Sequence, residues 1–443
     1  MVAGWPHIRS ADRFSRGVAL CYREPSMRPF VLQTILALTV LLTATGCAVR
    51  HDMAPAHMSA PPAPAVRAPD LVESPYRRIE GLPDGTILHV PTGVELTREQ
   101  LLDVLAAARI VYVGEAHDNI RHHRIQLDIL RALADRFPGK VTVGMEMFQR
   151  PSQPELDRWS RGEVDEKAFL TTWYENWTED YDYYRDILTF VRDRRIPLLA
   201  LNASERTARA LAEGGREALP AEERALIPEI DTADPFHRRQ MEAVFGAHAK
   251  GAGFDAFYRT MLLWDETMAQ TAAEFLTGPA GRDKILLVFA GGGHVAYGFG
   301  IPRRVFRRAP LPYVTVLPHT DIEHAPPDRP DLLMQVEPVT LPLPVADIVW
   351  AVGYEDLENS RVRLGVHVES AEGGVLINDV AADSAAARAG LREGDLIVSF
   401  DDDPVRQPVD LIRRVRLHRP GDHARLTFTR ESQTLTVDVT WPR

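Results

Sequence analysis

Two histidines and two glutamates stand at the ends of apolar runs in this chain, and they are the residues best equipped to do chemistry. Val111-Tyr112-Val113 breaks at Gly114 and is followed at once by Glu115 and His117. Val141-Thr142-Val143-Gly144-Met145 ends in Glu146, and the apolar run 284–290 leads into Gly291-Gly292-Gly293-His294. Two imidazoles with one or two carboxylates match catalytic sites that hold a divalent metal ion and leave a position for water, with the second glutamate as general base. There is no compact His-Glu-x-x-His helix, and the same side chains also fit a hydrogen-bonded network in which Glu115 and Glu146 orient the two histidines. The run 291–293 can offer backbone N–H groups to an anion such as a propionate or phosphate. A covalent nucleophile is not indicated, since no serine sits in a Gly-x-Ser-x-Gly elbow and the cysteines are Cys21 and Cys47 alone.

The elements that must position these residues follow from the pattern around them. Continuous apolar runs read as strands buried on both faces of a parallel sheet, and such sheets bind ligands beyond the carboxyl ends of their strands. The run 196–202 adds Asn202 to the same edge, and the run 313–317 completes the set. Thr97 is placed to start a helix, and Asn119 to cap a second helix that carries Leu127, Leu130, Ala134 and Phe137 until Pro138-Gly139 stops it. Strand, helix and strand then form a right-handed βαβ unit. The stretch 151–195 is helical and dense in rings, including Trp159, Phe169, Trp173, Tyr174, Trp177, Tyr181, Tyr183, Tyr184 and Phe190. That is more than one helix face buries. The rings pack a helical subdomain over the sheet edge, or wall a flat apolar ligand with Tyr174, Tyr181 and Tyr184 as candidate iron ligands. Residues 221–250 and 254–276 read as two long helices, with His237 and His248 at or near the surface.

A net charge of −11, with no block of Lys or Arg, argues against nucleic acid as a partner. Arg28-Pro29, the apolar run 30–42 and the small residues before Gly46-Cys47 read as a bacterial lipoprotein signal peptide ending at Cys47, the lipid-bearing residue, with Met1 or Met27 as the start. Ala48 stands where an Asp retains lipoproteins in the inner membrane, so the resemblance to exported lipoproteins implies the outer membrane, facing the periplasm. The expected organisation is a signal peptide over 1–47, a Pro/Ala-rich tether over 48–75, an α/β domain over 76–320, a linker over 321–345 and a further domain over 346–443.

Several of these stretches together resemble a known family. They are Val111 through His117, Gly144-Met145-Glu146-Met147-Phe148, Leu201-Asn202-Ala203, Trp264-Asp265-Glu266-Thr267-Met268-Ala269 and Ala290-Gly291-Gly292-Gly293-His294. The set is similar to the ChaN-type haem-binding lipoproteins, relatives of the Tiki-type metalloproteases. That resemblance brings Asp265 into the candidate pocket with Glu115, His117, Glu146, Asn202 and His294. It implies haem or iron uptake at the outer membrane, with haem held between subunits of a homodimer. The more distant relatives imply a metal-dependent peptidase or hydrolase that uses Glu115, His117, Glu146 and His294 as ligands.

At the C-terminus, Arg363-Leu364-Gly365-Val366, Val375-Leu376-Ile377 and Ala389-Gly390-Leu391-Arg392-Glu393-Gly394-Asp395-Leu396-Ile397 resemble a PDZ domain of the kind attached to bacterial proteases. The resemblance implies a carboxylate-binding loop at residues 363–366 and a peptide C-terminus added as a strand. The fold expected is α/β, a mostly parallel sheet flanked by helices with a helical subdomain, followed by a small β-rich PDZ domain. A haem-handling, non-enzymatic lipoprotein is the leading reading. The hydrolase, and a scaffold acting through the PDZ domain alone, are the alternatives.

Overall fold

The computed structural model describes residues 75–177, 180–214, 216–245, 252–321, 341–357 and 362–442. The signal peptide, Cys47, the tether up to residue 74 and His248 lie outside the described residues, as does most of the expected linker. Everything described belongs to one unit, Pro69–Arg443. Among the described residues no helix is long and apolar enough to cross a membrane.

Eight strands form the main sheet: β1 (Ile87–His89), β2 (Val94–Glu95), β3 (Ile110–Val113), β4 (Val141–Gln149), β5 (Leu198–Asn202), β6 (Ile285–Phe289), β7 (Tyr313–His319) and β8 (Ile348–Ala351). Their order is β2-β1-β8-β7-β3-β6-β4-β5. From β8 to β5 every pairing is parallel, and the β1–β2 hairpin closes one edge antiparallel. Every residue of β3, β6 and β8 is buried, as expected of strands covered on both faces. Neighbours β3, β6 and β4 therefore end side by side, which sets Glu115, His294 and Glu146 at one edge.

β8 corrects the expected boundary at residue 346. The run Ile348-Val349-Trp350-Ala351 lies between β1 and β7 instead of opening the C-terminal module. Asp347 Oδ2 pins it there, accepting from both the N–H and the hydroxyl of Thr315 at 2.8 Å.

The helices begin where their caps allow. Thr97 and Gln100 form a reciprocal capping box for Arg98–Ala106, and Asn119 Oδ1 accepts from Arg121 N at the start of Ile120–Arg136. The aromatic stretch forms the helices Gln153–Ser160, Glu166–Asn176 and Arg185–Asp193. Trp159, Phe169, Trp173, Tyr181 and Tyr184 share one core with Val111, Met145 and Phe289 of the sheet. Each such ring, fully buried, stabilises the fold by roughly 1.5–3 kcal/mol. The expected long helix 221–250 is instead two, Ala221–Leu226 and Pro235–Phe245. Pro228 and Pro235 stand at the break, where a ring without an N–H cannot continue a helix interior. The helix Ala252–Thr277 then crosses to β6.

The C-terminal module is a separate antiparallel sheet of β9 (Val366–Ala371), β10 (Gly374–Val380), β11 (Leu396–Phe400), β12 (Asp403–Pro404), β13 (His423–Arg430) and β14 (Gln433–Thr440), in the order β14-β13-β11-β10-β9 with β12 beside β11. Val375, Ile377, Ile397, Phe400, Leu426 and Phe428 form its core. β9 is an edge strand, and the helix Pro408–Arg416 lies against it.

Candidate functional site at the strand ends

Glu115 leaves β3 into the interior, 5% exposed, and is held from several sides. Its Oε1 lies 2.8 Å from His117 Nδ1 and accepts from the Tyr184 hydroxyl. Its Oε2 accepts from Gln126 Nε2 at 2.6 Å and lies 3.4 Å from His123 Nδ1. Burial pushes this carboxyl up, but the charges of His123 and His117 and the hydrogen bonds of His117 and Tyr184 outweigh it and hold the group at about 2. The site therefore keeps a carboxylate without solvent.

The helix Ile120–Arg136 supplies two of those four partners, Gln126 and His123. His123 Nε2 bonds the His117 carbonyl at 3.2 Å, and Ala116 N–H donates to His122 Nδ1 at 2.8 Å. His122 must accept at that nitrogen, consistent with burial lowering its pKa to about 3. His122, His123 and Gln126 escaped the sequence reading. Their signal was a set of polar residues within the first two turns after the Asn119 cap, on a helix whose other inward positions are apolar.

The second half is built on the glycine loop. Glu146 Oε2 accepts from Gly291 N at 2.6 Å, and Glu146 Oε1 lies 3.3 Å from His294 Nε2. On the other side, His294 Nδ1 lies 2.7 Å from Asp265 Oδ1. Burial lowers the pKa of this ring, but the two flanking carboxylates raise it well above the ordinary histidine value, so both ring nitrogens donate. Asp265, fully buried in the helix Ala252–Thr277, also faces His237 Nε2 at 3.5 Å, and Arg304 approaches His237 Nδ1 at 3.4 Å. His237 is thus fully buried, against the surface position expected, and burial lowers its pKa to about 4.

The halves meet at Gly291. A Cβ there would come within 3.1 Å of His117 Cε1, 3.2 Å of His117 Nε2 and 3.5 Å of Glu146 Oε2. Gly292 N–H donates to the Glu115 carbonyl at 2.8 Å, which locks the two glycine turns together. The His117 side chain is 37% exposed, far more than Glu115, Glu146 or His294, and the Trp177 ring meets it edge-on at 5.1 Å.

These contacts pair Glu115 with His117 and Glu146 with His294, the four residues expected to hold a metal. Among the described residues no group of three or more His, Cys, Asp or Glu side chains is arranged to hold a metal ion. Asn202 stands on the same edge, but its Oδ1 accepts locally from Ala203 N at 2.8 Å. The three tyrosines do not converge. Tyr184 braces Glu115, Tyr181 is enclosed between Phe169 and Trp173, and Tyr174 lies under Arg416 of the C-terminal module. Two features of the His117 edge suit a haem: His117 is the most exposed of the four residues, and Trp177 Nε1 beside it is a buried donor without a hydrogen-bond partner.

In the C-terminal module, the carbonyls of Arg363, Leu364 and Gly365 accept from Trp441 Nε1, Ala386 N and Ala381 N at 3.0, 2.9 and 2.9 Å. Gly365 has φ +79°, and a Cβ there would lie 2.2 Å from Ser384 Cβ. The loop 363–366 is therefore tied to the core of its module and leads directly into the edge strand β9.

The fold is thus a parallel α/β domain with a braced Glu–His edge, joined to a small antiparallel module whose edge strand follows a glycine loop. Residues 101–305 belong to the family described as "Haem-binding uptake, Tiki superfamily, ChaN", and residues 362–440 are a PDZ domain. The chain is 25% identical over 288 residues to "Protein RETICULATA-RELATED 5, chloroplastic" of Arabidopsis thaliana, covering 60% of this chain and 37% of that protein. It is 29% identical over 148 residues to a "Probable periplasmic serine endoprotease DegP-like" of Rhizobium meliloti, covering 33% of this chain and 24% of the relative. The chain thus spans well under half the length of these curated relatives. A solved structure described as "Cofacial heme binding to ChaN of Campylobacter jejuni" matches at 17% identity and a TM-score of 0.47, covering 61% of this chain and 96% of that one.

Proposed function

We propose that the protein is a haem-handling lipoprotein of the bacterial envelope, anchored through Cys47 in the outer membrane, that serves iron uptake and binds a partner's peptide C-terminus through its PDZ domain. The single observation that carries the reading is the 2.8 Å contact between Glu115 Oε1 and His117 Nδ1. A carboxylate on one imidazole nitrogen fixes the ring and makes the other more basic, the arrangement that tunes histidines bound to metals. His117 Nε2 faces the glycine loop at the most exposed point of the edge, and Trp177 supplies an aromatic flank for a flat ligand.

Haem is the cargo here, and its iron supplies the Lewis-acidic centre that a nitrogen ligand captures. His117 would take the iron, and Glu115 and Tyr184 would hold His117; the N–H groups of Gly291 and Gly292 are already donated to Glu146 and to the Glu115 carbonyl, against the anion cradle expected of this run. A second copy of the chain would cover the other haem face, as the family resemblance implies. The test is absorption titration of the purified chain with haemin. A Soret shift that saturates in the wild type and weakens at least about ten-fold in His117→Ala supports the reading. No shift in the wild type removes it and returns the hydrolase and scaffold readings.

A further inference from the structure

The two modules are joined by more than a linker. The helix Pro408–Arg416, which flanks the open edge of β9, also reaches the aromatic stretch beside the Glu115–His117 edge. The Arg416 guanidinium sits 5.8 Å from the Tyr174 ring centroid. Leu417 packs against the core cluster that contains Trp173 and Tyr181. Arg419 Nη2 lies 3.2 Å from Asp182 Oδ1, and Arg419 is also hydrogen-bonded to Tyr174. Charge complements the fit where Arg419 faces Asp182 and Asp180. The segment that follows β8 lies on the same face, with the Tyr183 hydroxyl donating to Asp356 and Leu357 packed on the same core.

From this clasp to the site the contacts are short and continuous. Tyr174 shares the helix Glu166–Asn176 with Trp173, whose ring lies 4.8 Å from Tyr184. Tyr184 donates to Glu115. Trp177, the C-cap of that same helix, is the residue whose ring meets His117. Both aromatic supports of the Glu115–His117 pair therefore hang from the segment that the PDZ module grips.

We propose that Arg416, Leu417 and Arg419 are positioning residues for the Glu115–His117 edge, acting through the aromatic segment 166–184. The docked PDZ module holds Trp177 and Tyr184 in place, and releasing it loosens His117. A peptide added along β9 lies against the helix Pro408–Arg416, so PDZ occupancy and the state of the α/β site share one structural element, and by linkage each alters the other. Only the identity of the ligand at His117 rests on the haem reading.

The test compares the full-length wild type with Arg416→Ala/Arg419→Ala, without haemin. Amide hydrogen exchange over residues 166–190 is expected to rise about ten-fold in the double variant, and the His117 ring resonances to shift, while amides of β10 and β11 keep their protection. Arg419→Ala alone, a change at a partly exposed side chain, is expected to give a smaller effect in the same direction, and Arg419→Lys to restore most of it. Unchanged exchange over 166–190 together with unchanged His117 resonances overturns the proposal. Haemin titration of the same proteins runs beside it. Absence of any Soret shift in all of them removes the haem reading and leaves the positioning role to be judged by exchange and resonances alone.

Discussion

Glu115 and His117 lie two residues apart, yet one is buried and the other is the exposed tip of the site, joined by a 2.8 Å hydrogen bond. The carboxylate has no role toward solvent, so its chemistry is exercised through the ring. Its pKa of about 2, against 4.5 for an ordinary glutamate, means that the folded chain binds this proton less readily than the unfolded chain. The resulting stabilisation, on the order of 3 kcal/mol, is complete above about pH 4.5 and is lost as the pH falls toward 2. Urea unfolding of wild type and Glu115→Gln at pH 6 and pH 3 checks this, with the wild type expected to lose more stability than the variant on acidification.

His294 behaves in the opposite sense. Its raised pKa contributes stability that is complete below about pH 6.5 and is lost as the pH rises through the folded value. Nitrogen-edited NMR at pH 7.5 is expected to show both ring nitrogens protonated. His294→Ala leaves Glu146 and Asp265 buried without their cation, and chemical denaturation is expected to show a loss of about 3–5 kcal/mol.

Gly291→Ala probes the junction of the two halves. The new methyl group would sit 3.1–3.2 Å from the His117 ring, tight enough that this partly exposed ring must give way. The expected result is a stability change below about 1.5 kcal/mol with a clear loss of haemin affinity, read by denaturation and absorption titration.

Gly365→Ala separates the modules. Its backbone at φ +79° and a Cβ overlapping Ser384 impose strain on the PDZ core, with a cost of about 1–3 kcal/mol or more. Hydrogen exchange is expected to rise across β10, β11 and β13 while β3 and β6 keep their protection.

Much of this was legible in the residues, for physical reasons. β3 and β6 are continuous apolar runs because both faces of the sheet are covered there, and Thr97 and Asn119 announce their helices by side chains that can accept backbone N–H groups. The edge residues Glu115, Glu146 and His294 follow from those strand ends. What stayed hidden is long-range. Asp265 and His294 meet across 29 residues, and Tyr184 reaches Glu115 across 69. Nothing local in Ile348-Val349-Trp350-Ala351 says which of two sheets it joins. The burial of His237 depends on Arg304 and Asp265, both contributed by other helices.

The most direct test of the central claim is the electron paramagnetic resonance spectrum of ferric haem bound to the full chain, recorded for wild type and for His117→Ala with its fold verified by circular dichroism. An imidazole-nitrogen ligand to the iron is expected in the wild type and is expected to disappear in the variant. An unchanged axial ligand in His117→Ala, or no bound haem in the wild type, would contradict it.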